Sequence, residues 1–154
     1  MTSAIDAKLA ELGITLPEAA AAAGNYVPYV VVGDMVYISG QVSMNADGFV
    51  VGKLGEDTSV DEGAAAAKLC GIALLSQLKA ACGGDLDRVT RVVKLGGFVN
   101  STPDFGDQPK VINGASDLMV AVFDDKGRHA RAAVSAASLP FGVAVEIEGT
   151  FQIS

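Results

Sequence analysis

Residues 128–153 read RHARAAVSAASLPFGVAVEIEGTFQI, and how this stretch is divided determines the fold. Two alternating runs flank the turn Ser138-Leu139-Pro140-Phe141-Gly142, which predicts a hairpin of strands over 128–136 and 143–153. The period of two puts Val143, Val145, Ile147 and Phe151 on one face of the second strand, and Ala144, Glu146, Glu148 and Thr150 on the other. The apolar set faces whatever helices cover the sheet. In the first strand Ala130, Ala132, Val134 and Ala136 make the small apolar face, so Arg131, Ala133 and Ser135 point the opposite way. Arg131 is thereby expected on the non-helix face, nearly opposite Glu148 and diagonal to Glu146. As a solvated cross-strand pair these charges would be worth little. On a face covered by another subunit they must be paired or used.

Upstream, residues 89–99 form a strand-like run, followed by a loop over 100–108 marked by Pro103 and then Pro109, and a helix over 111–123. The alanine-rich stretch 62–81, with Ser59 or Asp61 as its cap and Gly83-Gly84-Asp85 as its stop, is a second long helix. Residues 29–32 and 35–39 are β-branched and aromatic runs around Gly33-Asp34, a hairpin, and 49–51 is a candidate third strand after the turn at 45–48. Ile5, Leu9 and Leu12 mark a short amphipathic helix over 3–12 that Gly13 ends, and a further helical turn is expected from Pro17 through the alanines to Ala23. The order is ββ(β)α-βα-ββ. It predicts an α+β domain, a mixed sheet with two long helices on one face. The other face is too apolar to stay wet, so oligomerisation is expected.

The 154 residues, half of them hydrophobic and 19% charged, fit one domain with a sizeable core. A net charge of −7, with 11 scattered basic residues, opposes a long contact with phosphate backbones. Residues 1–10 lack the basic start and apolar run of a secretion signal, and no apolar run is expected to approach the roughly 20 residues a membrane span needs. A cytoplasmic protein that binds neither nucleic acid nor membrane is the expectation. Cys70 and Cys82 fall on one helix, about 18 Å apart along its axis, so they are expected to be free thiols that pack rather than react. No glycine-rich phosphate loop and no metal-ligand spacing is present.

The terminal stretch is similar to the C-terminal signature of the Rid (reactive intermediate deaminase, YjgF-type) family: Arg131-Ala132-Ala133-Val134, then Leu139-Pro140, then Val145-Glu146-Ile147-Glu148. Gly24-Asn25-Tyr26 and the run from Gly33 to Gln41 resemble the family's first hairpin, and Asn113 matches an asparagine on its second helix. The resemblance covers residues from about 24 to 152. It implies a chorismate-mutase-like subunit that forms a homotrimer with clefts between subunits. It also implies hydrolysis of reactive 2-imino acids to 2-oxo acids and ammonia, without metal or organic cofactor.

Carried over residue by residue, Arg131 grips the substrate carboxylate, for which a planar fork of donors is suited. Glu146 orients or deprotonates the attacking water and is expected to stay ionised beside Arg131, with Glu148 as the second choice. Tyr26 closes the cleft and offers its hydroxyl to the departing nitrogen, while the Ser39-Gly40 backbone and Asn113 fix the substrate. Many members carry cysteine where this chain has Ala133, a position that contributes mainly backbone. The segment between Phe105 and Asn113 is longer than usual, and residues 1–23 form an extra helical arm. Parts of the family carry an endoribonuclease label. The acidic charge and a lone histidine, His129, oppose that activity here, although His129 shares a face with Arg131. A third reading is a non-catalytic trimer that holds small carboxylates.

Overall fold

Helix α1 (Ala4–Glu11) starts at Ser3, whose hydroxyl accepts the Asp6 amide at 3.0 Å, and gives way at Gly13, where φ is +71°. The computed structural model describes residues 3–154. Two amides of the first turn, Ala4 and Ile5, donate to the Asp87 carboxylate at 3.0 and 2.9 Å, which ties the arm to the body of the molecule. The helical turn expected from Pro17 to Ala23 does not form. Residues 14–22 are irregular, because a seven-residue stretch with five alanines cannot offset the cost of nucleating a helix. Its backbone is engaged instead: Gln77, only 1% exposed, donates from Nε2 to the Ala20 carbonyl at 2.7 Å.

Strands β1 (Tyr29–Val32) and β2 (Met35–Val42) form the expected hairpin around Gly33 at φ +61°. The third strand is reduced to a two-rung hairpin, β3 (Met44–Asn45) with β4 (Gly48–Phe49), apart from the main sheet. Helix α2 (Val60–Ala81) is capped by Ser59 rather than Asp61, in a capping box: Ser59 Oγ accepts the Glu62 amide and Glu62 returns a carboxylate oxygen to the Ser59 amide. By length and a mean hydropathy of 1.2 this helix passes as a membrane span, contrary to the sequence expectation, but half of that window is buried within the domain. It packs against helix α3 (Gln108–Phe123) so closely that a side chain at Gly114 would collide with the Ala64 carbonyl. Pro109 sits in the first turn of α3, where its missing N–H costs nothing.

The remaining strands are β5 (Val89–Asn100), β6 (Ala130–Ala136) and β7 (Val145–Ile153), and the sheet order is β1-β2-β7-β5-β6. Strands β6 and β7 are therefore not a hairpin. β6 pairs parallel with β5, and β7 runs antiparallel between β2 and β5. The physical reason is that α3 connects β5 to β6, a strand-helix-strand crossover that returns the chain beside its first strand in the same direction. The chain then crosses from one sheet edge to the centre, through the turn where Phe141 holds φ +60°. Both long helices cover one face, and Val145, Ile147 and Phe151 of β7 are fully buried beneath them. Cys70 and Cys82 are free and buried, and burial pushes the Cys70 thiol far above its ordinary pKa.

Candidate functional site

Ile38 of β2 stands opposite Gly149 of β7, and Gln41 opposite Ile147, so β2 spends three steps where β7 spends two. The extra residue makes a β-bulge at Ser39-Gly40. Ser39 is held there by its amide on the Pro28 carbonyl at 2.9 Å and its hydroxyl on the Val27 carbonyl at 2.8 Å. The Glu146 carboxylate lies directly over Gly40, where any side chain would collide with Oε2. Glu148 lies similarly over Gly96. Glu146 is half-buried, and that burial, with the like charge of Glu148, raises its pKa above the ordinary glutamate value. Among the described residues no cation pairs with either glutamate.

Glu146 and Gly40 form one wall of a cavity of about 440 Å³ that Tyr26, Pro28, Phe49 and Phe141 also line. Its roof is the extended arm, residues 20–23, and Tyr26 supports that roof by accepting the Ala23 amide at its hydroxyl, 3.3 Å away. Phe49 and Phe141 stack at the cavity with centroids 4.6 Å apart and planes 6° from parallel. Phe141 is 62% exposed even so. The site thus joins a half-buried carboxylate, its pKa raised by that burial, to an apolar recess.

Arg131 is elsewhere. It pairs with Leu95, a residue buried under the helices, and so points to the helix side of β6 rather than to the face of Glu146 and Glu148. The expected common face was a product of the assumed hairpin. Likewise Glu146 is not held ionised by Arg131 within the subunit, and its pKa moves the other way. The Arg131 Nη1 donates to Asn113 Oδ1 at 2.7 Å and to Ser116 Oγ at 3.2 Å, both on α3 one turn apart. Ser116 Oγ lies 2.8 Å from His129 Nε2, and His129 Nδ1 lies 2.6 Å from the Gly127 carbonyl. A carbonyl only accepts, so Nδ1 carries the proton and Nε2 accepts from the serine hydroxyl. Burial lowers the pKa of His129, an effect that the Gly127 carbonyl opposes and the positive charges of Arg131 and Arg91 add to.

Both protons of Nη1 are therefore used, while Nε and Nη2 face no acceptor among the described residues and no carboxylate lies within ion-pair distance. The free edge of the guanidinium has the two parallel donors a carboxylate takes. Ala133, two residues along β6, is half-buried against the core opposite Gly97. The expected site residues thus fall into two groups in one subunit: Tyr26, Ser39, Gly40 and Glu146 in the first, Arg131 and Asn113 in the second. Sequence reasoning passed over Ser116, although Asn113 and Ser116 at a three-residue spacing share a helix face and were detectable by that signal. It also passed over the Phe49–Phe141 pair, which residue spacing cannot reveal.

A family described as "YjgF/chorismate_mutase-like, putative endoribonuclease" matches residues 6–147. The chain belongs to this Rid/YjgF family. It is similar to Protein TCP17 of Trypanosoma cruzi, 51% identical over 152 residues that cover 97% of this chain and 94% of the relative. Among solved structures, Atu1372 of Agrobacterium tumefaciens matches with a TM-score of 0.90 at 48% identity, covering 97% of this chain and 92% of the other. A Shewanella oneidensis structure that bears the endoribonuclease description matches at 0.92 and 35%, covering 97% and 99%. RidA of Psychrobacter sp. PAMC 21119 matches at 0.57 and 29%, covering 88% and 94%. The Atu1372 and Shewanella structures share nearly the whole chain at high TM-score, whereas RidA matches at a lower one.

Proposed function

We propose that the chain is one subunit of a Rid-type homotrimer that hydrolyses 2-imino acids to 2-oxo acids and ammonia, without a cofactor, at clefts between subunits. Arg131 and Asn113 of one copy face Tyr26, the Ser39-Gly40 bulge and Glu146 of its neighbour. The observation that carries this reading is the Arg131 guanidinium, held along one edge by Asn113 and Ser116 and left without a carboxylate on the other.

In that cleft the substrate carboxylate takes the free edge of Arg131, which fixes C2 of the imine near Glu146. Water adds to the C=N carbon as Glu146 accepts its proton, and the proton passes to nitrogen to give a neutral carbinolamine. Glu146 then takes the carbinolamine hydroxyl proton as the C–N bond breaks and that proton passes to the departing nitrogen, to which the Tyr26 hydroxyl offers a hydrogen bond, so that 2-oxo acid and ammonia leave and the carboxylate is restored. A carboxylate whose pKa is raised by burial and by the neighbouring Glu148 is a stronger base than a free glutamate, which supports both halves of this exchange. The apolar recess beside Glu146 excludes bulk water from the reacting carbon.

The test is direct. 2-Iminobutanoate or 2-iminopropanoate is generated in situ and 2-oxo acid release followed with wild type, Arg131→Ala and Glu146→Gln. Wild type accelerates release. Arg131→Ala lowers kcat/KM by about tenfold to a hundredfold, the worth of charged hydrogen bonds lost, and Glu146→Gln lowers kcat by about a hundredfold or more. No acceleration by wild type with several imino acids overturns the reading. Retained carboxylate binding would then leave a binding trimer, and RNA cleavage by the same preparations would favour the endoribonuclease description.

A further inference from the structure

Arg131 reaches no further into the chain than Asn113 and Ser116, but Ser116 does. Its hydroxyl has one proton, given to His129 Nε2 at 2.8 Å, and that direction is imposed by the Gly127 carbonyl, which takes the Nδ1 proton at 2.6 Å. With its proton committed, Ser116 turns a lone pair to Arg131 Nη1 at 3.2 Å. Every donor and acceptor in the series from Gly127 to Arg131 has its direction set by the one before.

We propose that Ser116 and His129 are positioning residues for Arg131: the imidazole orients the serine hydroxyl, and the hydroxyl, with Asn113, holds the guanidinium so that its outer edge meets a carboxylate. This rests on the reading of Arg131 as the carboxylate grip. A second consequence follows from the same geometry. A proton added at Nε2 reverses the hydrogen bond, so that imidazolium donates to Ser116 Oγ and the serine hydroxyl no longer gives its proton to the ring. The groups around the imidazole are Ser116 on α3, Arg91 on β5, Arg131 on β6 and the Gly127 carbonyl. Two of these are cations that oppose its protonation, and an anion on Arg131 offsets them. Carboxylate and proton therefore bind cooperatively, and affinity for the carboxylate increases as pH falls through the titration of His129.

His129 is the sole histidine of the chain, so its imidazole resonances are a single reporter in NMR. The probe is 2-oxobutanoate, a stable carboxylate. In wild type the His129 pKa lies below its ordinary value and rises by about half a unit or more when the probe is bound. In Arg131→Ala it does not respond. Ser116→Ala weakens probe binding and raises KM for 2-iminobutanoate by about fivefold with kcat little changed, the worth of one hydrogen bond, and Ser116→Thr, which keeps the hydroxyl, restores both. If the probe binds wild type and fails to bind Arg131→Ala, yet His129 titrates identically with and without it and Ser116→Ala binds as tightly as wild type, the positioning roles are wrong and the grip stands. If the probe does not bind wild type at all, the grip itself falls and this proposal with it.

Discussion

Glu146 is a carboxylate kept half out of water beside a second carboxylate, with Gly40 beneath it and, among the described residues, no cation in ion-pair range. Its folded-state pKa is raised, so its contribution to stability is present below the ordinary value of 4.5 and is lost as pH rises through the raised value. Glu146→Gln is therefore expected to melt higher than wild type at pH 7, with the difference shrinking toward pH 4. Thermal unfolding of both proteins at the two pH values checks this, and a constant difference would mean that the charge is not the cause. Gly40→Ala forces the carboxylate aside and is expected to reduce imine hydrolysis nearly as much as Glu146→Gln while Tm changes far less than for a core substitution. The alternation of Val145, Glu146, Ile147 and Glu148 was legible in the sequence. What it could not reveal is the glycine under each glutamate, because the match of Gly40 to Glu146 depends on an irregular register.

The elements were easier to read than their neighbours in space. Ser59 and Gly83 bound α2 as expected, and Gly33 turns β1 into β2. The order β5, α3, β6 also contained the clue to the parallel crossover, but two alternating runs around a Leu139-Pro140 turn resemble a hairpin whether or not they pair. That single misjudgement of adjacency carried Arg131 to the wrong face. The arm was misjudged for a different reason, since helix propensity of alanine counts for little in seven residues, one of whose carbonyls, that of Ala20, is taken by Gln77. Gln77→Leu keeps the packing volume and removes the donor to Ala20. It is expected to speed proteolysis within residues 14–23 and, by loosening the support of Tyr26, to lower kcat/KM. Unchanged cleavage of the arm would show that its position does not depend on this bond.

At the scale of the molecule the face away from the helices carries Val30, Val32, Tyr37 and Val134, all exposed in the single subunit. Apolar area of this kind on a sheet is covered in an assembly. Sedimentation is expected to give three times the 15.6 kDa of one chain, and Tyr37→Glu to shift it toward monomer with loss of activity. The division of the site between two groups makes a sharper prediction. On the proposed trimer, in which each cleft draws one contributor from each of two copies, Arg131→Ala and Glu146→Gln subunits, each strongly impaired alone, are expected to regain activity when co-assembled, to about a quarter of wild type for random mixing. Mixtures that stay inactive would place both residues in one subunit's site.

The extra residue at Ser39-Gly40 divides β2 into two halves that run out of phase. Before it, alternate side chains point up on odd positions; after it, on even ones. Deleting Gly40 would remove the irregular step and bring the strand into a single phase, with Gln41 and Val42 still opposite Ile147 and Glu146 and therefore still on their present sides. The frame and its two faces would survive, and what would be lost is the position without a side chain that the Glu146 carboxylate lies over, a change that removes no functional group at all.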